Sequence, residues 1–337
     1  MTADDAGHRA AVSPRDEAAR LPGRWRPRVD GWLLEPAPAE RLAVLRVLVG
    51  LFATLYLAIR YRPFLSLADA SASRFEPVGV LAPLDGPWSD QVLVVLFVAA
   101  VVLGVAFTIG AWFRFSGPAF AGALLLLTTY RSSWGQLLWI EDLMTIDVLI
   151  VGCSRSADGL SVDERRRRRR SGRSHRAPRE GVGFGWPVRL AALVTVTSYV
   201  LAAVAKLRTS GLEWMFSDSL RNHVAYSNVR LDLFAGASSP VGRWLVRFGW
   251  LFPPMAVITV LLELAAPVAL LGGRWRDAWV VAMWLVHVSV AALMFVVFPF
   301  PLFLVAFAPF YRLEAIPAWL RAVAGRRRSG STPGSSL

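Results

Sequence analysis

The sequence predicts an all-α, polytopic transmembrane helix bundle of about eight spans, with amphipathic interfacial helices after the fifth span. Three observations carry this reading. Of 337 residues, 55% are hydrophobic and only 18% are charged, and the mean hydropathy is +0.46. A soluble domain of this length shows more charge and shorter apolar runs. Apolar runs of about 20 residues, enough to cross a bilayer at about 1.5 Å per residue, recur between polar connections. The net charge is +13, and the arginines that produce it gather in alternate connections, as the positive-inside rule expects.

Taken in order, residues 1–38 read as a disordered, polar cytoplasmic tail rich in Ala, Pro and Arg. They hold no compact apolar core with a cleavage site, so the first span is expected to serve as the targeting signal. The membrane domain is placed at 39–315 and a basic, disordered tail at 316–337. Within the domain, spans are expected at 41–59, 91–112, 118–130, 136–153, 187–207, 252–271 and 278–297, with an eighth reaching residue 311. Arg60 to Pro63 close the first, Ser116-Gly117-Pro118 turns the chain into the third, and Phe298-Pro299-Phe300-Pro301 breaks the seventh from the eighth. Residues 208–249 mix Trp214, Met215 and Phe216 with polar groups and read as two helices lying on the membrane.

The connection 154–185 contains six consecutive arginines, Arg165 to Arg170. It is expected to be a flexible, self-repelling cytoplasmic loop that meets anionic lipid; nucleic acid is the poorer partner for it. With the N-terminus inside, the arginine-rich connections all face the cytoplasm, and so does the C-terminus. The chain is therefore expected to be multi-pass in the plasma membrane. Fourteen tryptophans, several near expected span ends, suit interfacial anchors. One cysteine, Cys153, excludes an internal disulfide and a Cys-x-x-Cys pair. No P-loop, Gly-rich dinucleotide turn, His-Glu-x-x-His or Gly-x-Ser-x-Gly is present, and no metal site is expected.

One residue stands apart. Lys206 is the only lysine among the 37 basic residues; the others are arginine. Arginine keeps its proton, whereas a desolvated lysine gives up its own and becomes a base or nucleophile. The alternative is a lysine that snorkels to the polar Arg208-Thr209-Ser210 stretch. Tyr199, Ala202, Ala203 and Lys206 share one helix face, and the small alanines admit a neighbouring backbone.

Charged residues inside spans seek partners. Depth counted from the span ends puts Lys206 level with Glu141 and Asp142, and Glu263 level with His287. The expected pairs are therefore Lys206 with Glu141 or Asp142, and Glu263 with His287, with Lys206 beside a cavity lined by Tyr199 and the fourth span. Asp147 and His223 read as solvated surface.

These residues carry a resemblance. Tyr199-Val-Leu-Ala-Ala-Val-Ala-Lys206-Leu207 with Trp214 resembles the Tyr-x-x-Ala-Gly-x-x-Lys-Leu…Trp stretch of the HTTM family, the horizontally transferred transmembrane domain shared with vitamin K-dependent gamma-carboxylase. Glu263-Leu264-x-x-Pro267, His287 and Phe298-Pro299-Phe300 resemble that family's later helices. The resemblance implies Lys206 as the base that deprotonates a reduced quinone of the vitamin K type. Glu141, Asp142, Glu263 and His287 are implied as further catalytic candidates, and Tyr199 and Trp214 as cofactor-binding residues. Near Glu141-Asp142 the carboxylase has a histidine. Three functions follow: a quinone- or lipid-binding membrane enzyme with a quinone or peptide substrate, a non-catalytic scaffold or partner in peptide maturation or export, and a small-molecule transporter. The last needs paired repeats with broken helices, and no convincing repeat is seen.

Overall fold

The computed structural model describes residues 31–135, 141–171 and 179–317. The expected tails at 1–38 and 316–337, the start of the fourth span and the end of the arginine-rich loop fall largely outside them. The described chain is mostly helical. Its one sheet is a two-residue antiparallel tie between β1 (Ala37–Pro38) and β2 (Glu180–Gly181), in the register Ala37 to Gly181.

Four helices are long and apolar enough to cross a membrane. They are α1 (Ala39–Ile59), α3 (Asp90–Ile109), α7 (Val182–Ser210) and α12 (Gly273–Met294). A short α2 (Tyr61–Leu65) follows α1. On α3, Val95, Val98 and Val102 are 68%, 55% and 63% exposed, a row of valines that only hydrocarbon would cover without cost.

Helix α4 (Phe113–Ser132) begins five residues before the expected third span. Its start is fixed from outside. Trp112 takes a left-handed conformation at φ 46°, and the Asp163 carboxylate accepts from the N–H groups of Trp112 at 3.0 Å and Phe113 at 2.8 Å. A remote carboxylate thus fills orphan donors and complements the helix dipole. Helix α5 (Asp142–Gly152) packs on α4 through two glycines. A Cβ on Gly117 would lie 2.5 Å from the Gly152 carbonyl oxygen, and one on Gly152 would lie 2.8 Å from that of Gly117. The backbones meet because no side chain stands between them.

The six arginines are helical where the sequence suggests a flexible loop. They belong to α6 (Val162–Ser171). Asp163 and Glu164 in its first turn and arginines in its last turn oppose the helix dipole. Arg168 pairs with Glu164, and Arg155 and Arg167 converge on Asp158. Local acidic residues supply the countercharge that composition alone does not reveal.

Helix α7 links two cores. Its first half contributes Val188 and Ala191 to the core of α1, α3, α4 and α5. Its second half contributes Val196 and Tyr199 to a separate core with Trp279, Val280 and Met283 of α12. Between α7 and α12 run α8 (Glu213–Phe216), α9 (Ser219–Ala235), α10 (Pro240–Leu245) and α11 (Phe252–Leu264). Helix α11 stops early because Pro267 has no N–H for the Glu263 carbonyl. The chain continues as a 3-10 turn over Ala266–Leu271.

The region expected to form an eighth span holds only α13 (Pro299–Leu302) and a 3-10 turn over Val305–Phe310. Pro299, Pro301 and Pro309 interrupt it too often for a long helix. The turn is nonetheless core: Ala306 and Phe307 are buried, and Thr195 of α7 donates to the Ala306 carbonyl at 3.1 Å. Arg41 Nε and Nη2 reach both carboxylate oxygens of Glu314 at 2.8 and 2.6 Å, which closes this end of the chain onto α1.

Two buried ionic groups need separate mention. Asp147, expected at a solvated surface, is fully buried and neither carboxylate oxygen has a partner. Arg46 of α1 is also fully buried. Its guanidinium donates to the carbonyls of Ser156 at 2.6 Å, Leu160 at 2.8 Å and Gly159 at 3.3 Å. It closes the loop after α5, where carbonyls lack partners and a cation is favoured.

Candidate functional site

Three helices, α7, α11 and α12, bring four of the singled-out residues together in two couples. The first is Lys206 with Glu263. Lys206 Nζ lies 2.5 Å from Glu263 Oε1 and 2.6 Å from Oε2, so the ammonium bridges both carboxylate oxygens. The indole of Trp214 on α8 lies over the amine, with Nζ 5.3 Å from the ring centroid, a cation–π distance. The Lys206 side chain is 24% exposed and that of Glu263 is 9% exposed. The Lys206 side chain is therefore partly exposed while its carboxylate is almost enclosed.

The second couple is Tyr199 with His287, whose Oη and Nε2 are 2.8 Å apart. Trp279 meets the Tyr199 ring edge-on at 5.4 Å, and Phe298 lies 5.4 Å from the imidazole. His287 Nδ1 is buried and has no hydrogen-bond partner. When Tyr199 donates to Nε2, the proton of the neutral imidazole sits on Nδ1 and forms an unused donor. Ala203, fully buried between Tyr199 and Lys206, keeps their shared face open to α11.

Both pairings differ from those expected by depth. Glu263 does not bond His287, and Lys206 bonds neither Glu141 nor Asp142. The cause is the direction in which side chains leave a helix. Each Cα–Cβ bond tilts toward its helix N-terminus. Helix α11 runs opposite to α7 and α12: along α7, Val196 clusters with Ala266 and Ala269, whereas Ala203 clusters with Val260. Lys206 and Glu263 therefore lean toward each other, while Tyr199 and His287, on the parallel α7 and α12, both lean the same way as Lys206 and away from the direction of Glu263. Two residues with Cα atoms at one depth separate when their helices are antiparallel.

Glu141 belongs to a different cluster on the first core. Its Oε1 accepts from Tyr56 Oη at 2.5 Å and from Arg131, and its Oε2 is buried without a partner. Arg131 also lies over the Phe64 ring at 5.1 Å. Asp142 is exposed in the first turn of α5, where a carboxylate favours the helix dipole. His223 is exposed on α9, with Nδ1 2.7 Å from the Ser219 carbonyl oxygen.

Sequence reasoning missed Arg46, Tyr56 and Arg131. Tyr56 and Arg131 stand at the ends of α1 and α4, at the level of Glu141, and the same depth argument applied to those helices would have found them. Among the described residues no group of His, Cys, Asp or Glu is arranged to hold a metal ion.

The comparisons with known proteins agree with the residue pattern. The HTTM domain model matches residues 34–315. No curated protein and no solved structure matches the chain. Four helices long and apolar enough to cross a bilayer, and a match that spans most of the sequence, make this chain a membrane protein of the HTTM family.

Proposed function

We propose that the chain binds a quinone or similar ring-bearing lipid beside Lys206, with Lys206 and Glu263 acting as one acid–base couple. The single observation that carries this is the amine bridged to a nearly enclosed carboxylate and roofed by an indole. The residues suit such a ligand. The aromatic wall of Tyr199, Trp279 and Phe298 fits a flat ring, and the unused donor at His287 Nδ1 fits a carbonyl oxygen. A quinol, once bound, supplies a weakly acidic hydroxyl and a two-electron redox couple.

The protein side of the chemistry is proton movement. Passing the ammonium proton from Nζ to a Glu263 oxygen converts the ion pair into an amine beside a carboxylic acid. In that form the Nζ lone pair accepts a proton from an acidic hydroxyl, and the new ammonium donates to the oxyanion left behind. Lys206 is thus the candidate base and Glu263 holds its proton between events. Tyr199 and Trp214 serve in binding, and His287 orients through its bond to Tyr199. Glu141, bonded within the other core, and Asp142, exposed on α5, take no part in this couple.

In the cell, the domain lies in the plasma membrane, with both termini and the Arg165–Arg170 segment on the cytoplasmic side, where the arginines meet anionic lipid. Helices α9 and α10 lie at the opposite interface.

Purified full-length protein should carry quinone detectable by absorbance and mass spectrometry of its extract. Lys206→Met and Glu263→Gln should each lower that content by about tenfold, the effect of losing about 1.4 kcal/mol of binding. Equal content in all three proteins would remove the proposal. A second reading rests on the same two-point closure, because an ion pair with both oxygens engaged is also what a helix–helix tie needs. In that case the protein is a scaffold or a partner in peptide maturation or export, and Lys206→Arg, which keeps the charge but not a usable base, retains full function.

A further inference from the structure

The segment between α7 and α11 holds a cleft lined by charges of both signs. The cleft has a volume of about 560 Å³ and lies between the end of α9 and α10, with Asp232, Ser238, Arg243, Trp244 and Arg247 in its walls. This is the size range of small-molecule sites, about 300–1,000 Å³. The charges do not neutralise one another. Among the described residues Asp232 and Arg247 make no ion pair, and the Arg243 guanidinium reaches only Ser238 Oγ at 3.2 Å. Opposite charges that line one cleft without meeting are complementary to a ligand that carries both signs.

The indole of Trp244 in the wall shows what kind of molecule that is. Trp244 is 56% exposed. A large apolar side chain within a charged cleft matches a ligand with a polar head and apolar chains. Trp at such a position sits at the headgroup level of a bilayer. Guanidinium groups take phosphate oxygens through paired N–H donors, and a carboxylate opposite them accepts from a primary ammonium.

We propose that this cleft binds the headgroup of an aminophospholipid, with the phosphodiester on Arg243 and Arg247 and the primary ammonium on Asp232. The proposal is independent of the Lys206–Glu263 couple. The ammonium distinguishes the lipid from its choline analogue, which has no N–H to give to Asp232, and the phosphodiester distinguishes it from uncharged glycerolipids.

The test is native mass spectrometry of the full-length protein released from detergent, with phosphatidylethanolamine or phosphatidylcholine of matched acyl chains added. The wild type should retain the ethanolamine lipid at least about fivefold better, the worth of one charge-assisted hydrogen bond. Asp232→Asn should equalise the two lipids, and Arg243→Gln with Arg247→Gln should lower retention of both. Equal retention of the two lipids by the wild type overturns the proposal, as does unchanged retention in the folded arginine variant. Tryptophan-fluorescence unfolding checks that each variant is folded. If the arginine variant is not, Asp232→Asn decides alone: loss of the ethanolamine preference supports the site and an unchanged preference rejects it.

Discussion

Lys206 Nζ stands within 2.6 Å of both carboxylate oxygens of Glu263, and this ion pair joins the second half of α7 to α11. A charge pair this enclosed is costly to split and cheap to replace as a unit. Lys206→Met alone leaves the Glu263 carboxylate without its cation, and Glu263→Leu alone leaves the ammonium. Each should destabilise the protein by on the order of 3 kcal/mol. The double variant should recover most of that loss. Thermal unfolding in one detergent gives the coupling; additive losses would show that the pair is not linked in solution.

Arg46 makes the second prediction. Its guanidinium satisfies three carbonyls of the loop 156–160 from inside the core, with no carboxylate in its first contacts. Arg46→Leu keeps the apolar bulk and strands those carbonyls. The expected loss is on the order of 3 kcal/mol, about 1 kcal/mol or more for each group left unpaired. Arg46→Lys should recover only part of it, because one ammonium cannot match the spread of a planar guanidinium. The readout is the unfolding midpoint of detergent-purified protein. A midpoint unchanged in Arg46→Leu would mean water serves the loop equally well.

The residue pattern reveals the helical class and the long helices and singles out Lys206, because each rests on one-dimensional signals: hydropathy, length and a single anomalous residue. Pairing is less legible. Counting along a span gives the depth of a Cα atom, whereas a lysine stem carries its nitrogen several ångströms along the helix axis, in a direction set by strand sense. Hence Lys206 found Glu263, and His287 found Tyr199. The helix over Arg165–Arg170 was hidden for another reason. Six like charges repel, but Asp158 and Glu164 pair two of them, Arg167 and Arg168, while Asp163 ties the first turn of α6 to the start of α4. Asp147 was misplaced because its position along the span does not tell whether a carboxylate faces the core or the outside until its neighbours are known.

The glycine crossing of α4 and α5 is a third test. Gly117 and Gly152 face each other so closely that either Cβ would collide with backbone rather than with a movable side chain. Gly152→Leu should force the helices apart and lower the yield of folded protein severely. Gly152→Ala should cost about 1–3 kcal/mol, the range for overpacking a tight contact. Gly122, whose added Cβ meets nothing within 4 Å, is the control. Its change to Ala should be neutral or slightly stabilising through helix propensity. Equal behaviour of the two alanine variants in thermal unfolding would contradict the close approach.

Membrane orientation is the fourth. The arginine bias predicts that residue 172 is cytoplasmic. Cys153 is exposed and would itself react, so the experiment starts from Cys153→Ser and adds Gly172→Cys. An impermeant maleimide should label this variant only in inverted vesicles or after lysis. Labelling of intact cells would reverse the whole arrangement, and with it the side of the membrane assigned to the α9–α10 cleft.

The last prediction separates the two polar couples on α7. Tyr199→Phe keeps the ring against Trp279 and Phe307 and deletes only the hydroxyl bonded to His287. The stability loss should be modest, about 1 kcal/mol, typical of one hydrogen bond. If His287 merely braces the helices, bound quinone should not change, since the Lys206–Glu263 pair is untouched. If His287 Nδ1 is a binding donor held in place by Tyr199, the quinone content should fall several-fold while the unfolding midpoint barely moves. His287→Gln then provides a check on direction, because its amide N–H can replace a lost ring donor and its loss of the ring cannot mimic a stacking change at Tyr199. A fall in Tyr199→Phe that His287→Gln does not share would place the effect on the phenol itself, and unchanged content in both would confine the couple to holding α12 against α7.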